Sequence, residues 1–175
     1  VSTVEDAAVS ISQDDLAAAA QARVFLGHQS VGANLLEGIP AVYQSAGLTP
    51  PQITTEPVAG ASDGLVAHAY IGENTQPLGK IEAFDKILRD GMAADTNVAA
   101  MKLCYLDISP TVDVDAIFAA YQETAESLQR DYPELTLLHI TTKDDLLSHP
   151  VVGASWESFC IENLSACAPR GVQAF

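Results

Sequence analysis

Six consecutive residues, Gly27-His28-Gln29-Ser30-Val31-Gly32, carry the strongest chemical possibility in this chain. They join a short apolar run, Arg23–Leu26, to a helical pattern that begins at Val31. Ser30 therefore falls at a helix N-terminus, where backbone N–H groups are free and the helix dipole is positive. A serine in that place has two uses. Its hydroxyl caps the helix, or it acts as a nucleophile whose oxyanion is held by adjacent N–H groups. His28, two residues earlier on the same loop, is a candidate general base or a structural partner of the site. The other histidines are less well placed. His68 precedes the turn Gly72-Glu73-Asn74 and is expected to order it, His139 lies late in a strand pattern, and His149 precedes Pro150 in a tail.

Other chemistries find less support. The carboxylates do not form an alternating calcium loop with its glycine and terminal Glu, and no Gly-rich run with Lys precedes a helix as a phosphate loop requires. Asp113 and Asp115 stand before a long helical pattern and fit its positive end. Lys102, inside an apolar run, needs a partner if buried, with Asp107 and Asp63 the candidates, or else snorkels at a sheet edge. Cys160 and Cys167 are close enough in sequence to form a disulfide, or else are two free thiols. A disulfide would place the protein in an oxidising compartment, secreted or periplasmic. The chain starts at Val1 without Met, as a processed or trimmed chain would. No metal and no cofactor is expected.

The elements that must position these residues follow from periodicity. Asp14–Ala22 reads as a short helix capped by Ser12 or Asp14. Val31–Ala46 is helical, with Pro40 expected to kink or split it. Gln52–Thr55 is a weak strand. In Pro77–Asp90 a stripe of Leu78, Ile81, Phe84, Ile87 and Leu88 marks a helix, stopped by Gly91. Val98–Tyr105 is a nearly continuous apolar run, as in a central strand covered on both faces. Val114–Tyr132 is a long helix with Ile117, Phe118, Tyr121 and Leu128 inward, and Leu135–Ile140 a last strand. Helix and strand alternate throughout, which predicts a flavodoxin-like three-layer α/β sandwich with a mostly parallel sheet. In such sheets ligands bind beyond the carboxyl ends of the strands. The stretches to inspect are Gly27–Gly32, Thr55–Asn74, Cys104–Pro110 and Ile140–Asp145. Residues 144–175 lose periodicity and read as a loop-rich tail.

The block Phe25-Leu26-Gly27-His28-Gln29-Ser30-Val31-Gly32 resembles the nucleophile block of a bacterial branch of the SGNH/GDSL hydrolases that has His-Gln-Ser in place of Gly-Asp-Ser. Two further segments are similar to the same branch. One is Ala67-His68-Ala69-Tyr70-Ile71-Gly72-Glu73-Asn74, followed by Pro77, Lys80, Ile81 and Phe84. The other is Met101-Lys102-Leu103-Cys104-Tyr105-Leu106-Asp107-Ile108, followed by Phe118, Tyr121, Leu128 and Tyr132-Pro133. The resemblance spans about Arg23 to Thr142. It implies that Ser30 attacks an ester carbonyl, with oxyanion donors from its own N–H, from the Gly72 N–H and from the Asn74 amide. Asp107 stands near the place of the family's third-block Asn; an ionised Asp cannot donate, so it is expected instead to order the Ser30 loop by accepting backbone N–H bonds. The family's catalytic His follows an Asp three residues earlier, but Leu146 precedes His149 at that spacing. Either the C-terminal catalytic segment lies outside this chain or another His serves.

The bulk properties set the remaining limits. The chain has 175 residues, 48% of them apolar, enough for one domain with a full core. With 8 Lys and Arg against 23 Asp and Glu, the net charge of −15 disfavours nucleic acid and anionic lipid as partners. No run of about 18 apolar residues is long enough to span a membrane. The expected partner is a small-molecule or carbohydrate ester, such as an acetylated glycan, which a serine ester hydrolase cleaves. The alternative is a non-catalytic domain on the same fold that binds a glycan or small ligand.

Overall fold

The computed structural model describes residues 11–55, 64–109 and 111–140. Their elements run, in order, α1 (Gln13–Ala19), β1 (Arg23–His28), α2 (Ser30–Ser45), β2 (Gln52–Thr54), β3 (Leu65–Tyr70), α3 (Pro77–Ile87), α4 (Ala93–Asp95), β4 (Val98–Met101), α5 (Val114–Asp131) and β5 (Thr136–His139). All five strands are parallel, in the order β2-β3-β1-β4-β5. Without the short edge strand β2, the remaining order is that of the first four strands of a flavodoxin-like sheet. The three-layer α/β fold expected from the alternation of elements is present.

The two faces of the sheet are covered by different helices. Leu26, Val66 and Ala100 pack with Leu36 of α2 on one face. Phe25, Ala67, Ala99, Met101 and Leu137 pack with Ile81, Phe84 and Leu88 from the α3 region and with Ile117 and Leu128 of α5 on the other. Odd and even residues of β1 therefore serve opposite cores, which is why its central residues carry no polar side chain until His28. The carboxyl end of β1 leads into α2 on one face, and the carboxyl end of β4 leads towards α5 on the other. Adjacent parallel strands whose connections leave on opposite faces open a crevice between their ends, the usual ligand position in such sheets. Ser30 begins at the rim of that crevice.

Several elements depart from the sequence pattern. The stretch 55–74, to which periodicity assigns no element, contains β3, which pairs with β1 from Arg23↔Leu65 to His28↔Tyr70. Its two alanines and its histidine dilute the strand signal, and pairing along the whole of β1 supplies what propensity lacks. Helix α2 runs through Pro40 without ending. Leu36 and Tyr43 are buried on either side of the proline, and the Tyr43 hydroxyl donates to the Leu16 carbonyl at 3.1 Å. Tertiary anchoring on both sides outweighs the one lost backbone bond. In α3 the buried residues are Pro77, Lys80, Ile81 and Phe84, while Leu78 is exposed. The helix is thus rotated to bury a lysine that the apolar stripe did not include. A π turn at Leu88–Met92, with Gly91 at φ 128°, then ends this helical stretch as expected of a glycine stop. Strand β4 ends at Met101, earlier than the apolar run, and a 3₁₀ turn at Tyr105–Asp107 follows. Ser12 caps α1 and Asp113 caps α5, accepting from the Asp15 and Ala116 N–H groups. No described helix is long and apolar enough to cross a membrane.

Candidate active site

Ser30 is the first residue of α2, and Gln29 before it is the N-cap. The cap side chain makes no capping bond. It turns away and donates to the Ile71 carbonyl at 2.9 Å and to the Gly72 carbonyl at 2.8 Å. Gln29 thereby fastens the loop after β3 to the loop that carries Ser30. The Ser30 side chain is exposed, and among the described residues its hydroxyl has no hydrogen-bond partner. The first intrahelical bonds are Gly32 N–H and Ala33 N–H to the Gln29 carbonyl. The N–H groups of Ser30 and Val31 have no partner among the described residues, as the first turn of a helix dictates. The Gly72 N–H, on the loop that Gln29 holds close, likewise has no partner among the described residues.

His28 is not joined to Ser30. Its ring is fully buried, with Nδ1 2.6 Å from the Gln29 carbonyl and Nε2 2.9 Å from Nδ1 of His68. A carbonyl only accepts, so Nδ1 of His28 carries a hydrogen; in the neutral pair Nε2 then accepts from Nδ1–H of His68. Both ring nitrogens are therefore occupied away from the serine. The expectation that His68 orders the Gly72 turn is corrected in the same way, since its partner is His28. The register places His68 beside Leu26, and His28 beside Tyr70, on the face covered by α2. The His28 and Tyr70 rings lie 4.9 Å apart, with Tyr70 largely exposed. His139 is held elsewhere, with Nδ1 2.7 Å from the Tyr121 hydroxyl. None of the three described histidines is hydrogen-bonded to Ser30; His149 lies outside the described residues, as do Cys160 and Cys167.

The histidine pair explains the second glycine of the motif. A Cβ on Gly32 would lie 2.2 Å from Cβ of His28 and 2.4 Å from its Cγ. Those atoms are the stem of a buried ring and cannot swing aside. Gly32→Ala should therefore destabilise the fold by about 1–3 kcal/mol through overpacking, against the gain of up to about 1 kcal/mol that Ala normally brings to a helix interior. Gly38→Ala, in the same helix with nothing near its would-be Cβ, should show the normal gain. Urea unfolding of the two variants checks the opposite signs.

The pair also sets a pH dependence. Partial burial, and then the charge His28 would carry, lower the His68 pKa below its ordinary value. A depressed histidine pKa means that the unfolded chain binds more protons in the acid range. Stability is thus full above the ordinary histidine value of about 6.5 and falls as the pH drops from there through the lower folded value. The melting temperature should decline over that window, and His68→Gln should flatten the decline.

Asp107 and Lys80 form the other half of the site, and both are fully buried. Lys80 Nζ donates to Asp107 Oδ2 at 2.6 Å and to Asn74 Oδ1 at 2.9 Å. Asp107 also accepts from the Cys104 N–H at 2.6 Å and from the Thr75 N–H at 2.8 Å. It does accept backbone N–H bonds, but from the loops after β4 and β3 and not from the Ser30 loop. Its cation is Lys80, whereas Lys102 is half-buried beside β1, donating its backbone N–H to the Gly27 carbonyl. Gly72 turns with φ 52°, and a Cβ there would lie 2.9 Å from the Lys80 backbone nitrogen. The glycine lets the loop lie directly on the helix that bears the lysine.

The sequence reading thus places Ser30, Gly72 and Asn74 on loops that meet at one end of the sheet, and it misses Gln29 and Lys80. A single polar residue on the face that Pro77, Ile81 and Phe84 share is the signal that marks Lys80, since the four stand at helical spacing. Nothing local marks Gln29. Among the described residues no group of three or more His, Cys, Asp or Glu is placed to hold a metal ion, and Cys104 is a buried free thiol. Compared with models of known families, with curated proteins and with solved structures, the chain matches none.

Proposed function

We propose that this protein is a serine ester hydrolase of the SGNH/GDSL type, with Ser30 as nucleophile. One observation carries the reading. The Ser30 hydroxyl is exposed at the first turn of a long helix, at the carboxyl end of the central strand, and bonds to no described residue. A capping serine would stand one residue earlier and accept from the helix N–H groups; that position is Gln29, which reaches elsewhere.

In the proposed reaction, Ser30 Oγ bonds to the ester carbonyl carbon and gives up its proton to a base. The carbonyl oxygen takes the negative charge, facing the open N–H groups of Ser30 and Gly72 and the Asn74 amide. Collapse expels the alcohol, which takes a proton, and leaves an acyl-serine. Water then releases the acid and restores the hydroxyl. The substrate class is a small or carbohydrate ester, such as an acetylated glycan, and the setting is secreted or periplasmic.

A second reading is favoured by a separate observation, the occupation of both His28 ring nitrogens. If no base serves Ser30, the chain is a binding domain for a glycan or small ligand on the same fold. Fluorophosphonate labelling, read by peptide mass spectrometry, separates the two. An adduct on Ser30 is the expected result, since it requires an activated hydroxyl. A folded sample that stays unlabelled overturns the hydrolase reading in favour of binding.

A further inference from the structure

We infer that Lys80 is a positioning residue that fixes the direction of the Asn74 side-chain amide, so that its N–H₂ group is presented as a hydrogen-bond donor. The inference rests on the ester-hydrolase reading for the use of that donor, but its geometry stands by itself. An ammonium has three donors and no acceptor, so the Asn74 atom that meets Lys80 Nζ must be the oxygen. The bond, 2.9 Å long, therefore decides which way an exposed amide faces. Lys80 itself has no freedom to choose. It is fully buried, and Asp107, also fully buried, holds the same nitrogen at 2.6 Å.

Asp107 is fixed in turn by the N–H groups of Cys104 and Thr75, one from each loop that meets there. The chain of bonds runs from the end of β4, through Asp107 and Lys80, to the loop that Gln29 ties to the nucleophile. An ion pair placed under an exposed amide costs desolvation. What it supplies is a donor whose direction is set before a ligand arrives, the property that an oxyanion site requires.

The test uses 4-nitrophenyl acetate hydrolysis by the whole chain, together with ¹⁵N relaxation of side-chain amides. Asn74→Ala should lower kcat about a hundredfold, the order expected for one oxyanion donor, with KM little changed. Asn74→Asp, which keeps an acceptor for Lys80 but has no donor, should lose as much. Lys80→Met should lower kcat in the Asn74 protein and have no further effect in the Asn74→Ala protein. Its Asn74 amide signal should also become as mobile as that of an exposed Gln.

The proposal is overturned if Asn74→Ala keeps wild-type kcat, or if Lys80→Met costs the same with and without Asn74. Should Lys80→Met not fold, the relaxation of the wild type decides: a held Asn74 amide is as rigid as the backbone around it, and one as mobile as an exposed Gln overturns the proposal. If the wild type neither hydrolyses ester nor labels at Ser30, the hydrolase reading has failed; the relaxation data then judge the positioning claim, which falls if Lys80→Met leaves the Asn74 amide equally rigid.

Discussion

Ser30→Ala should lower kcat/KM for a short ester by about 10³-fold or more, because the covalent step has no other nucleophile. The same substitution should leave stability almost unchanged. Ser30 is exposed at the first helical position, and its hydroxyl bonds to no described residue. Loss of a capping serine, by contrast, costs about 1 kcal/mol. Activity and stability thus answer different questions. A large loss of rate with an unchanged melting temperature means a nucleophile. A loss of stability with no loss of rate means a cap, and the hydrolase reading would fall. Gln29→Ala makes a useful companion. It frees the Ile71 and Gly72 carbonyls, so it should reduce kcat by loosening the approach of the Gly72 loop while leaving Ser30 able to label.

Asp107→Ala should be the most destabilising single substitution in the site, by about 3–5 kcal/mol, the usual result of leaving a buried charge without its partner. Three donors lose their acceptor at once: Lys80 Nζ and the N–H groups of Thr75 and Cys104. Lys80 would retain only the Asn74 oxygen. Lys80→Met should cost less, since Asp107 would keep its two backbone donors and these hold a carboxylate well. The asymmetry is the informative quantity. In a chain of this size the larger loss corresponds to a fall in melting temperature of roughly 10 °C, measurable by scanning calorimetry. Equal losses for the two variants would show that the backbone bonds to Asp107 contribute little.

The site was only partly legible in the residues. Gly27-His28-Gln29-Ser30-Val31-Gly32 announced a strand, a turn and a helix, and so placed Ser30 at a helix start. That conclusion depends on contacts within a few residues, where periodicity and helix-end chemistry act directly. The capping role of Asp113 and the stop at Gly91 were legible for the same reason. The second glycine of the motif was visible as a glycine, but its cause was not. Only the fold shows that the His28 ring lies against it.

The partners of His28, Lys80 and Asp107 belong to a different class of question. His28 is separated from His68 by forty residues, and Lys80 from Asp107 by twenty-seven. Which of them meet depends on the pairing of β1 with β3 and on the rotation of α3 about its axis. The alanine-rich segment 65–70 is too weak a strand by itself to declare that pairing, and full register along β1 makes it one. The helix rotation likewise comes from burying Pro77, Ile81 and Phe84 together, which carries Lys80 inward with them. The amino-acid sequence by itself determined the alternation of helix and strand, the layered parallel architecture and the position of Ser30, because each follows from local pattern. Tertiary structure alone decided that His28 faces His68 instead of the serine, and that a lysine under the Gly72 loop orients Asn74, because both result from register and long-range burial.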